Sequence, residues 1–273
     1  MLTSTSAAPR PEDMMLHIQE GPAGQDDGDD AAGGLLQAVT NPLTRKLERF
    51  SALGLRARLA LDDFESPSEW VPAGSLISAE GETSKTVIIL LDGFAYRHKD
   101  FRDGRRQIIT LLMLGDICGA SERLSGPASY GVRTLTRARI ARINIDRFGT
   151  MVDEHPAIAA ALHKSALVDE AVLRAWIVNL GQRHAHERVA HLLCELAYRI
   201  SDCGLLLTQD NFKFPLTQHE LGSVLGLTSV HINRVLQRLR VEKLIEFRHG
   251  VVQLHDLNKL QALADFDPAY LSI

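Results

Sequence analysis

Between about residue 58 and residue 148, short apolar or alternating segments are separated by glycine and aspartate. Segments of this length and pattern are typical of strands in an antiparallel sandwich or barrel. Asp103-Gly104, between "AYRHKDF" and "RRQIITLL", is a strong signal for a β-hairpin. The pattern therefore predicts an antiparallel β-domain. A short helix over 42–53, with Pro42 at its start, is expected to precede it.

The period of the pattern changes after Pro156, where about 24 residues without glycine or proline continue to Gly181. The apolar residues there recur at roughly helical spacing, at positions 158, 162, 166, 173, 177 and 180. Such a helix is ~36 Å long at 1.5 Å per residue, and it has more apolar surface than its own domain needs to cover. We expect it to pair with its copy in a dimer. The alternative is a core helix that packs only within the chain.

The C-terminal third alternates between helical and extended patterns. A second amphipathic helix is predicted over 183–200, and "LTQDNFKFPL" is a loop or a short ribbon. Two short strands are expected on either side of His249-Gly250, and a final helix should begin near Asp256.

The segment "LTQHELGSVLGLTSVHINRVLQRLR", residues 216–240, predicts two helices joined by a short turn. Thr217 and Glu220 form a capping-box pattern at the start of the first helix, which Gly226 should end. Thr228 is the expected N-cap of the second helix, which runs to about 241. Gly222 is expected to remove a side chain where the helices cross. Apolar residues at 221, 225, 232, 235 and 239 should hold the pair together.

This arrangement is the helix-turn-helix, in which the second helix enters the major groove of DNA. Arginine can bind guanine, asparagine can bind adenine, and valine can contact a thymine methyl group. The residues from 229 to 248 include five cations and two acids, which suits a DNA-facing surface. The alternative is a helical hairpin for protein contacts, with its arginines in solvent. The predicted DNA-binding residues are Thr217, Gln218, Ser229, Val230, His231, Asn233, Arg234, Gln237 and Arg238.

The net charge of −4 arises in the N-terminal segment, since residues 1–33 contain seven acids and one arginine. This segment has no hydrophobic periodicity, and we predict a disordered acidic tail over 1–40. No apolar run is long enough to span a bilayer, and no signal-peptide pattern is present. Three cysteines without a CxxC pair fit a reduced compartment. We therefore expect a cytoplasmic protein that does not associate with a membrane.

Residues 42–273 resemble the Crp/Fnr superfamily of bacterial transcription regulators. The resemblance rests on "DGRRQIITLLMLGDICG", the long helix, the 216–240 segment and the closing "FDPAYL". It implies an α+β fold with a cyclic-nucleotide-binding-like antiparallel β-roll over 41–152, a dimerisation helix over 153–182 and a winged helix-turn-helix domain over 183–273. It also implies a homodimer on palindromic double-stranded DNA, with RNA polymerase as a partner.

The chain departs from the family pattern at the effector site. The members that bind cyclic AMP use a Gly-Glu pair, followed about ten residues later by Arg-Ser. Here Ala120 follows Gly119, and "PASYG" at 127–131 has no arginine to neutralise a cyclic phosphate. Arg123 would replace that arginine only if the loop were rebuilt. We therefore predict a degenerate pocket formed by Gly119, Ala120, Ser129 and Tyr130, without a cyclic AMP response.

The resemblance also bears on cofactors and on base reading. The N-terminus lacks the cysteine cluster of the iron–sulfur members, so no cofactor is expected. The recognition helix of the family often contains Glu-x-x-x-Arg. Arg234 matches the arginine and should contact guanine, whereas Val230 replaces the glutamate.

Several histidines and cysteines are also weighed as possible metal, haem or redox sites, with weaker support from the sequence. His184, Glu187 and His191 share one helical face, but the two histidines are seven residues apart, too far for one ion without a further element. His98 is considered as a haem ligand, and Cys194 and Cys203 as redox-sensitive thiols, whereas Cys118 is expected in the core. No catalytic motif is found, so no enzyme, metal site or catalytic residue is predicted.

Three functions are compared on these grounds. The favoured one is a sequence-specific, homodimeric transcription regulator. A ligand-sensing β-roll whose output is a protein contact is the main alternative, and a metal-dependent enzyme using the histidines is the third.

Overall fold

The computed structural model describes residues 41–65, 67–120, 126–208 and 210–272, all within the compact unit Thr40–Ile273. The predicted acidic tail and Arg123 lie outside the described residues. Among the helices described, none combines the length and the apolar character needed to cross a bilayer.

Two short helices precede the sheet. Helix α1, Pro42–Glu48, is capped by Asn41, whose Oδ1 accepts from Leu43 N at 2.9 Å. Helix α2, Leu55–Asp62, and the 3-10 turn Asp63–Glu65 follow. The prediction of strands from about residue 58 was wrong here. The sequence "LRARLALD" consists mainly of strong helix formers, and the first strand begins ten residues later.

Eight antiparallel strands form the predicted β-roll. One sheet has the order β1-β8-β3-β6 and the other the order β2-β7-β4-β5. The predicted hairpin joins β4 to β5, with Gly104 at positive φ in its turn. The strands are β1 (Ser68–Val71), β2 (Leu76–Ser78), β3 (Thr86–Asp92), β4 (Ala95–Asp100), β5 (Arg106–Leu112), β6 (Ile117–Cys118), β7 (Gly131–Thr134) and β8 (Ala138–Asn144).

A helix that the sequence analysis missed, α3 (Ile145–Glu154), connects the roll to the long helix. It begins at Asn144, whose side-chain oxygen accepts from Asp146 N at 2.9 Å and Arg147 N at 3.1 Å. This N-cap is a signal that the sequence contained, but the preceding strand pattern masked it.

The long helix α4, Pro156–Gln182, occurs where it was predicted, but most of the predicted stripe does not face the core. Of its six positions only Ile158 is buried, and Ile177 is 70% exposed. The face that packs on the chain is instead formed by Ile158, Ala161, Val172, Trp176 and Asn179. The helix therefore has an inner apolar face and an outer one that the chain leaves uncovered.

The C-terminal part is a winged helix-turn-helix. Its small sheet has the order β11-β12-β10-β9, so the predicted ribbon is present. The elements are α5 (Ala185–Asp202), β9 (Leu206–Thr208), β10 (Asn211–Lys213), α6 (Gln218–Leu225), α7 (Ser229–Val241), β11 (Ile245–Arg248), β12 (Val251–Leu254), α8 (Leu257–Ala264) and the 3-10 turn Pro268–Leu271.

The roll and the helix-turn-helix share a hydrophobic core. Buried residues of the β4–β5 hairpin, including Tyr96, Ile108 and Leu111, belong to the same cluster as the buried faces of α5, α6 and α7. A hydrogen bond from Gln107 Nε2 to Val224 O, 3.1 Å long, joins β5 to α6 at this contact. The described structure thus places the β4–β5 hairpin against the first helix of the helix-turn-helix.

Candidate nucleic-acid interface

Local capping fixes the two helices, as predicted. The Thr217 side-chain oxygen accepts from Glu220 N at 3.2 Å, and Glu220 Oε2 accepts from Thr217 N at 2.8 Å. Gly226 ends α6 in the left-handed conformation at φ 65°, which glycine adopts without a steric penalty. Thr228 then caps α7 by accepting from His231 N at 3.2 Å.

Gly222 leaves space for the turn that leads into the second helix. A Cβ atom at this position would lie 2.4 Å from Leu227 O, which belongs to the turn and not to the second helix. Leu227 N also donates to Gly222 O at 3.0 Å. Glycine is therefore needed because the turn folds back over α6, and the same Cβ atom would also lie 3.9 Å from Ser229 N, where α7 begins.

The two helices are held together by their apolar faces. All five positions expected in the core are buried, with 6% exposure or less, at Leu221, Leu225, Ile232, Val235 and Leu239. This packing fixes the rotation of α7 about its axis. The opposite face of α7 consequently points into solvent.

The predicted DNA-binding residues lie on this outer surface. Eight of the nine are exposed, and Asn233 is half-buried. Val230 is 64% exposed, which is unusual for an apolar side chain on a packed helix. The exposed residues are Thr217, Gln218, Ser229, Val230, His231, Arg234, Gln237 and Arg238. Their contact with DNA stays a prediction.

Four of the predicted side chains already have partners in the free protein: Thr217, which is hydrogen-bonded to Glu220, and Gln218, Asn233 and Arg238. Arg238 Nε donates to Glu242 Oε1 at 2.8 Å, and Asn233 Nδ2 donates to Gln218 Oε1 at 3.4 Å. Within the described residues, Arg234 makes neither a hydrogen bond nor an ion pair. Arg234 can therefore bind a base without first leaving another partner.

The wing is a tight hairpin whose turn is formed by His249 and Gly250, both at positive φ. Two successive residues of this conformation are typical of the type I′ turn, which matches the twist of two-residue hairpins. Arg248 at its tip pairs with Glu246 at 2.6 Å. The predicted strands around this turn are confirmed.

The four residues of the predicted effector pocket come together in the β-roll. Gly119, Ala120, Ser129 and Tyr130 line one cleft of about 870 Å³ between the roll and helices α3 and α4. Backbone packing by itself requires glycine at position 119, because a Cβ atom there would lie 2.6 Å from Thr86 O. Its presence therefore does not require a ligand.

Arg97 lines the same cleft, and the sequence analysis missed it. Its guanidinium lies 5.4 Å from the ring of Tyr130, and it donates to Ile117 O at 3.1 Å. Asp169 of α4 is 3.8 Å away. Its strand, "AYRHKD", contains three further charged or imidazole side chains, so no signal in the sequence singled out Arg97.

The histidines considered as metal or haem ligands have structural roles. His184 and Glu187 close the capping box of α5, whereas His191 is buried against Phe266 and Tyr270. Burial lowers the pKa of His191 to about 4. The described residues contain no group of three metal-binding side chains. His98 is also buried, with its Nε2 against Gly131, and it is not among the residues that line the cleft.

Of the thiols considered for redox chemistry, Cys194 lies in the hydrophobic core, whereas Cys203 is half-buried beside charged side chains that include Arg199 and Asp202. Burial raises the pKa of Cys194 to about 12, and burial likewise raises the pKa of Cys203. Both shifts disfavour the reactive thiolate. Cys118 is buried in the roll, as expected.

Comparison with known families matches both halves of the chain. Residues 68–155 match the model of the cyclic nucleotide-binding domain, and residues 187–263 match that of the Crp-like helix-turn-helix domain. The chain is 27% identical over 192 residues to the nitrogen fixation regulation protein FixK of Bradyrhizobium diazoefficiens, covering 70% of this chain and 79% of that protein. It is 29% identical over 187 residues to the transcriptional activator protein FnrL of Cereibacter sphaeroides, covering 66% and 74%.

The fold also agrees with solved structures. The structure of FixK2 from Bradyrhizobium japonicum superposes with a TM-score of 0.64 at 22% identity, covering 72% of this chain and 96% of that chain. The antiparallel roll, the long helix and the C-terminal helix-turn-helix thus form a known combination.

Proposed function

We propose that this chain, which belongs to the Crp/Fnr family of DNA-binding transcription regulators, acts as a homodimer that reads palindromic sites through α7. The exposed polar face of α7, with an unpaired Arg234, is the observation that carries this proposal. In a dimer the two recognition helices would enter successive major grooves, with half-site centres ~10 base pairs apart.

The decisive test is salt-dependent DNA binding by the purified protein. A site selected from random duplexes should bind with an affinity that falls steeply with salt, because each phosphate contact releases counterions. A folded protein that binds no selected duplex would contradict the proposal. It would favour the alternative function, a ligand-sensing roll whose output is a protein contact.

Replacing Arg234 with alanine should cost ~1–3 kcal/mol of binding free energy on the selected site and relax the preference for one guanine in each half-site. The physical reason is the loss of two hydrogen bonds to a base edge, which only the correct base accepts. Titrations on the selected duplex and on a scrambled duplex would measure both effects.

Arg240 provides the matched control, because it lies on the same helix, is exposed, and is further from the N-terminal turn. Arg240→Ala should weaken binding to both duplexes similarly and lower the salt slope by about one per half-site, as expected for a phosphate contact. If Arg234→Ala also weakened both duplexes equally, Arg234 would be a phosphate contact and the assignment of the reading face would be wrong.

Cyclic AMP should not bind tightly to the cleft of the roll. Ala120 cannot accept hydrogen bonds from a ribose as a glutamate does, and Tyr130 occupies part of the wall next to Arg97. We expect no heat of binding at micromolar nucleotide in calorimetry. A micromolar dissociation constant would overturn this prediction.

The remaining parts of the proposal concern partners and location. We expect the dimer to contact RNA polymerase at promoters, to work in the cytoplasm, and to have no catalytic activity. The domain limits at about 41–152, 153–182 and 183–273 belong to the same proposal.

A further inference from the structure

A groove of about 380 Å³ separates the first turn of α5 from the exposed face of the recognition helix. Helix α5 contributes Ala185 and His186, although it is not part of the helix-turn-helix. We call this feature the histidine groove. Its other lining residues are Thr228, Val230, His231, Arg234, Val235 and Arg238.

Cationic and imidazole side chains dominate the polar lining of the histidine groove. Two arginines and His231 come from α7, and His186 faces them from α5. The carboxylate nearest to the His186 ring is that of Glu187, with Oε1 3.8 Å from Nε2. The His184 ring stacks on the other side, 6.3 Å between centroids. Of these side chains, Glu187 is the only one that is negatively charged.

The size of the major groove determines what would lie over this surface. An α-helix with its side chains is about 10–12 Å across, and the major groove is about 12 Å wide. A recognition helix therefore fills the groove, and the sugar-phosphate strands pass along its flanks. The first turn of α5 lies on one flank of α7, because the two elements share the histidine groove. A phosphate strand would consequently approach His186.

We propose that His186 is a DNA-backbone contact outside the helix-turn-helix and that, together with His231, it couples DNA binding to the uptake of protons. This inference rests on the proposed DNA-binding function. It assigns the histidine groove a phosphate of double-stranded DNA as its ligand.

The sign of the coupling follows from the charges. Imidazoles change charge between about pH 5 and pH 8, and a nearby phosphate favours the charged form. In the free protein, the charged groups around the rings are Arg234, Arg238 with its partner Glu242, and Glu187. Bound phosphates offset the arginine charges, so the complex holds more protons than the free protein. Affinity should therefore rise as the pH falls.

Salt titrations of the full-length protein at about pH 6 and about pH 8 test this proposal, because one phosphate contact by a cation is worth about 0.9 in the salt slope. At pH 6, His186→Gln should lower the slope by about one per half-site relative to the unmodified protein. At pH 8 the two slopes should agree, because imidazoles in general carry their charge below that pH. The His186→Lys variant keeps its charge at both pH values. Its salt slope should therefore exceed that of His186→Gln by about one per half-site at pH 6 and at pH 8.

The histidine control lies in the same domain. His255 is at the end of β12 beside Glu246, outside the histidine groove, and His255→Gln should leave the slopes unchanged at both pH values. His219 and the wing-tip His249 are also exposed, so pH dependence of the unmodified protein alone is not the readout.

Two results would overturn the inference while leaving the proposed function intact. One is a His186→Gln variant whose salt slope equals that of the unmodified protein at both pH values. The other is an equal loss of slope at pH 6 and pH 8, which would mean that the contact does not depend on a proton. If the unmodified protein bound no duplex, the proposed function itself would fail.

Discussion

Replacing Ile177 with aspartate should convert the protein to monomers and weaken binding to a palindromic site by ~10²–10⁴-fold. On α4, Ile177 is 70% exposed and Val178 is 51% exposed, whereas the preceding residue, Trp176, is buried. The chain therefore covers only the inner face of this helix. The outer face, which carries Ile177 of the predicted stripe, needs a partner.

A second copy of the chain is the partner that we propose for this face. A twofold interface uses the same surface of both copies, so the substitution would bury one aspartate from each copy in apolar surroundings without a partner. A monomer binds one half-site only and loses the gain in effective concentration that the second half-site provides. Sedimentation velocity would measure the first effect, and DNA titrations on full and half sites the second.

Leu59→Asp is the matched control for this prediction. Leu59 is 60% exposed on α2 and does not belong to the predicted stripe of α4, so its replacement should leave the dimer intact. Leu173, also in the predicted stripe, lines the cleft of the roll and is a less selective site for mutation. An Ile177→Asp protein that sediments as a dimer would refute the proposed interface.

Replacing Glu195 with alanine should destabilise the folded protein by ~3–5 kcal/mol. Glu195 is completely buried, and its carboxylate accepts hydrogen bonds from Trp176 Nε1 at 2.9 Å and Tyr270 Oη at 2.8 Å. Arg199 lies 3.4 Å from the same carboxylate. Alanine would leave two buried donors without an acceptor and remove a counter-charge from a buried arginine.

The effect should extend beyond one side chain, because Glu195 belongs to a chain of buried charges. Arg199 also lies 3.7 Å from Asp116, which pairs with Lys46 of α1. Burial raises the pKa of Glu195, and its ion pair with Arg199 lowers that pKa only in part. Burial likewise acts to raise the pKa of Asp116, but Lys46 and Arg199 outweigh it and lower the pKa.

Urea unfolding of the unmodified protein and of Glu195→Ala would measure the loss in the free energy of unfolding. Glu170→Ala is the control, since Glu170 forms an exposed pair with Arg174 on α4, and such pairs contribute about 0–1 kcal/mol. Tyr270→Phe removes one of the three partners and should cost an intermediate ~1–3 kcal/mol. If Glu195→Ala and Glu170→Ala unfolded at the same urea concentration, the buried network would contribute nothing to stability.

The free energy of unfolding should also decrease at acid pH because of His191. His191 is buried and its folded pKa is about 4, below the ordinary value of 6.5, so the folded state holds it neutral. The unfolded chain binds this proton first, and stability should be lost as the pH falls from about 6.5 towards 4. The histidine experiments at pH 6 are therefore best accompanied by an unfolding curve at that pH.

The helix-turn-helix could be predicted from the sequence because its determinants are local. A capping box spans four residues, and a glycine at positive φ acts on one turn. Thr217, Glu220, Gly226 and Thr228 therefore predicted both helices and their junction correctly. The wing was predictable for the same reason, since His249-Gly250 alone fixes the turn between its strands.

Local patterns did not predict the secondary structure where a helix and a strand were both compatible with the sequence. Residues Leu55–Asp62 continue directly into a strand-rich region, and a short apolar segment does not distinguish a helix from a strand by periodicity. The helix formers in this segment were the better guide. The cap at Asn144 was hidden in the same way, because it follows a strand without a break.

By itself, the sequence determined the elements whose ends are marked by caps and turns, and the chemistry exposed on the recognition helix. Only the tertiary structure decided which face of α4 is covered, that Arg97 joins Ala120 in one cleft, and that His186 lies beside the recognition helix. It also decided that Glu195 meets Tyr270, 75 residues away. The physical reason is that caps and turns depend on neighbours a few residues away, whereas burial and charge pairing depend on how distant segments pack together.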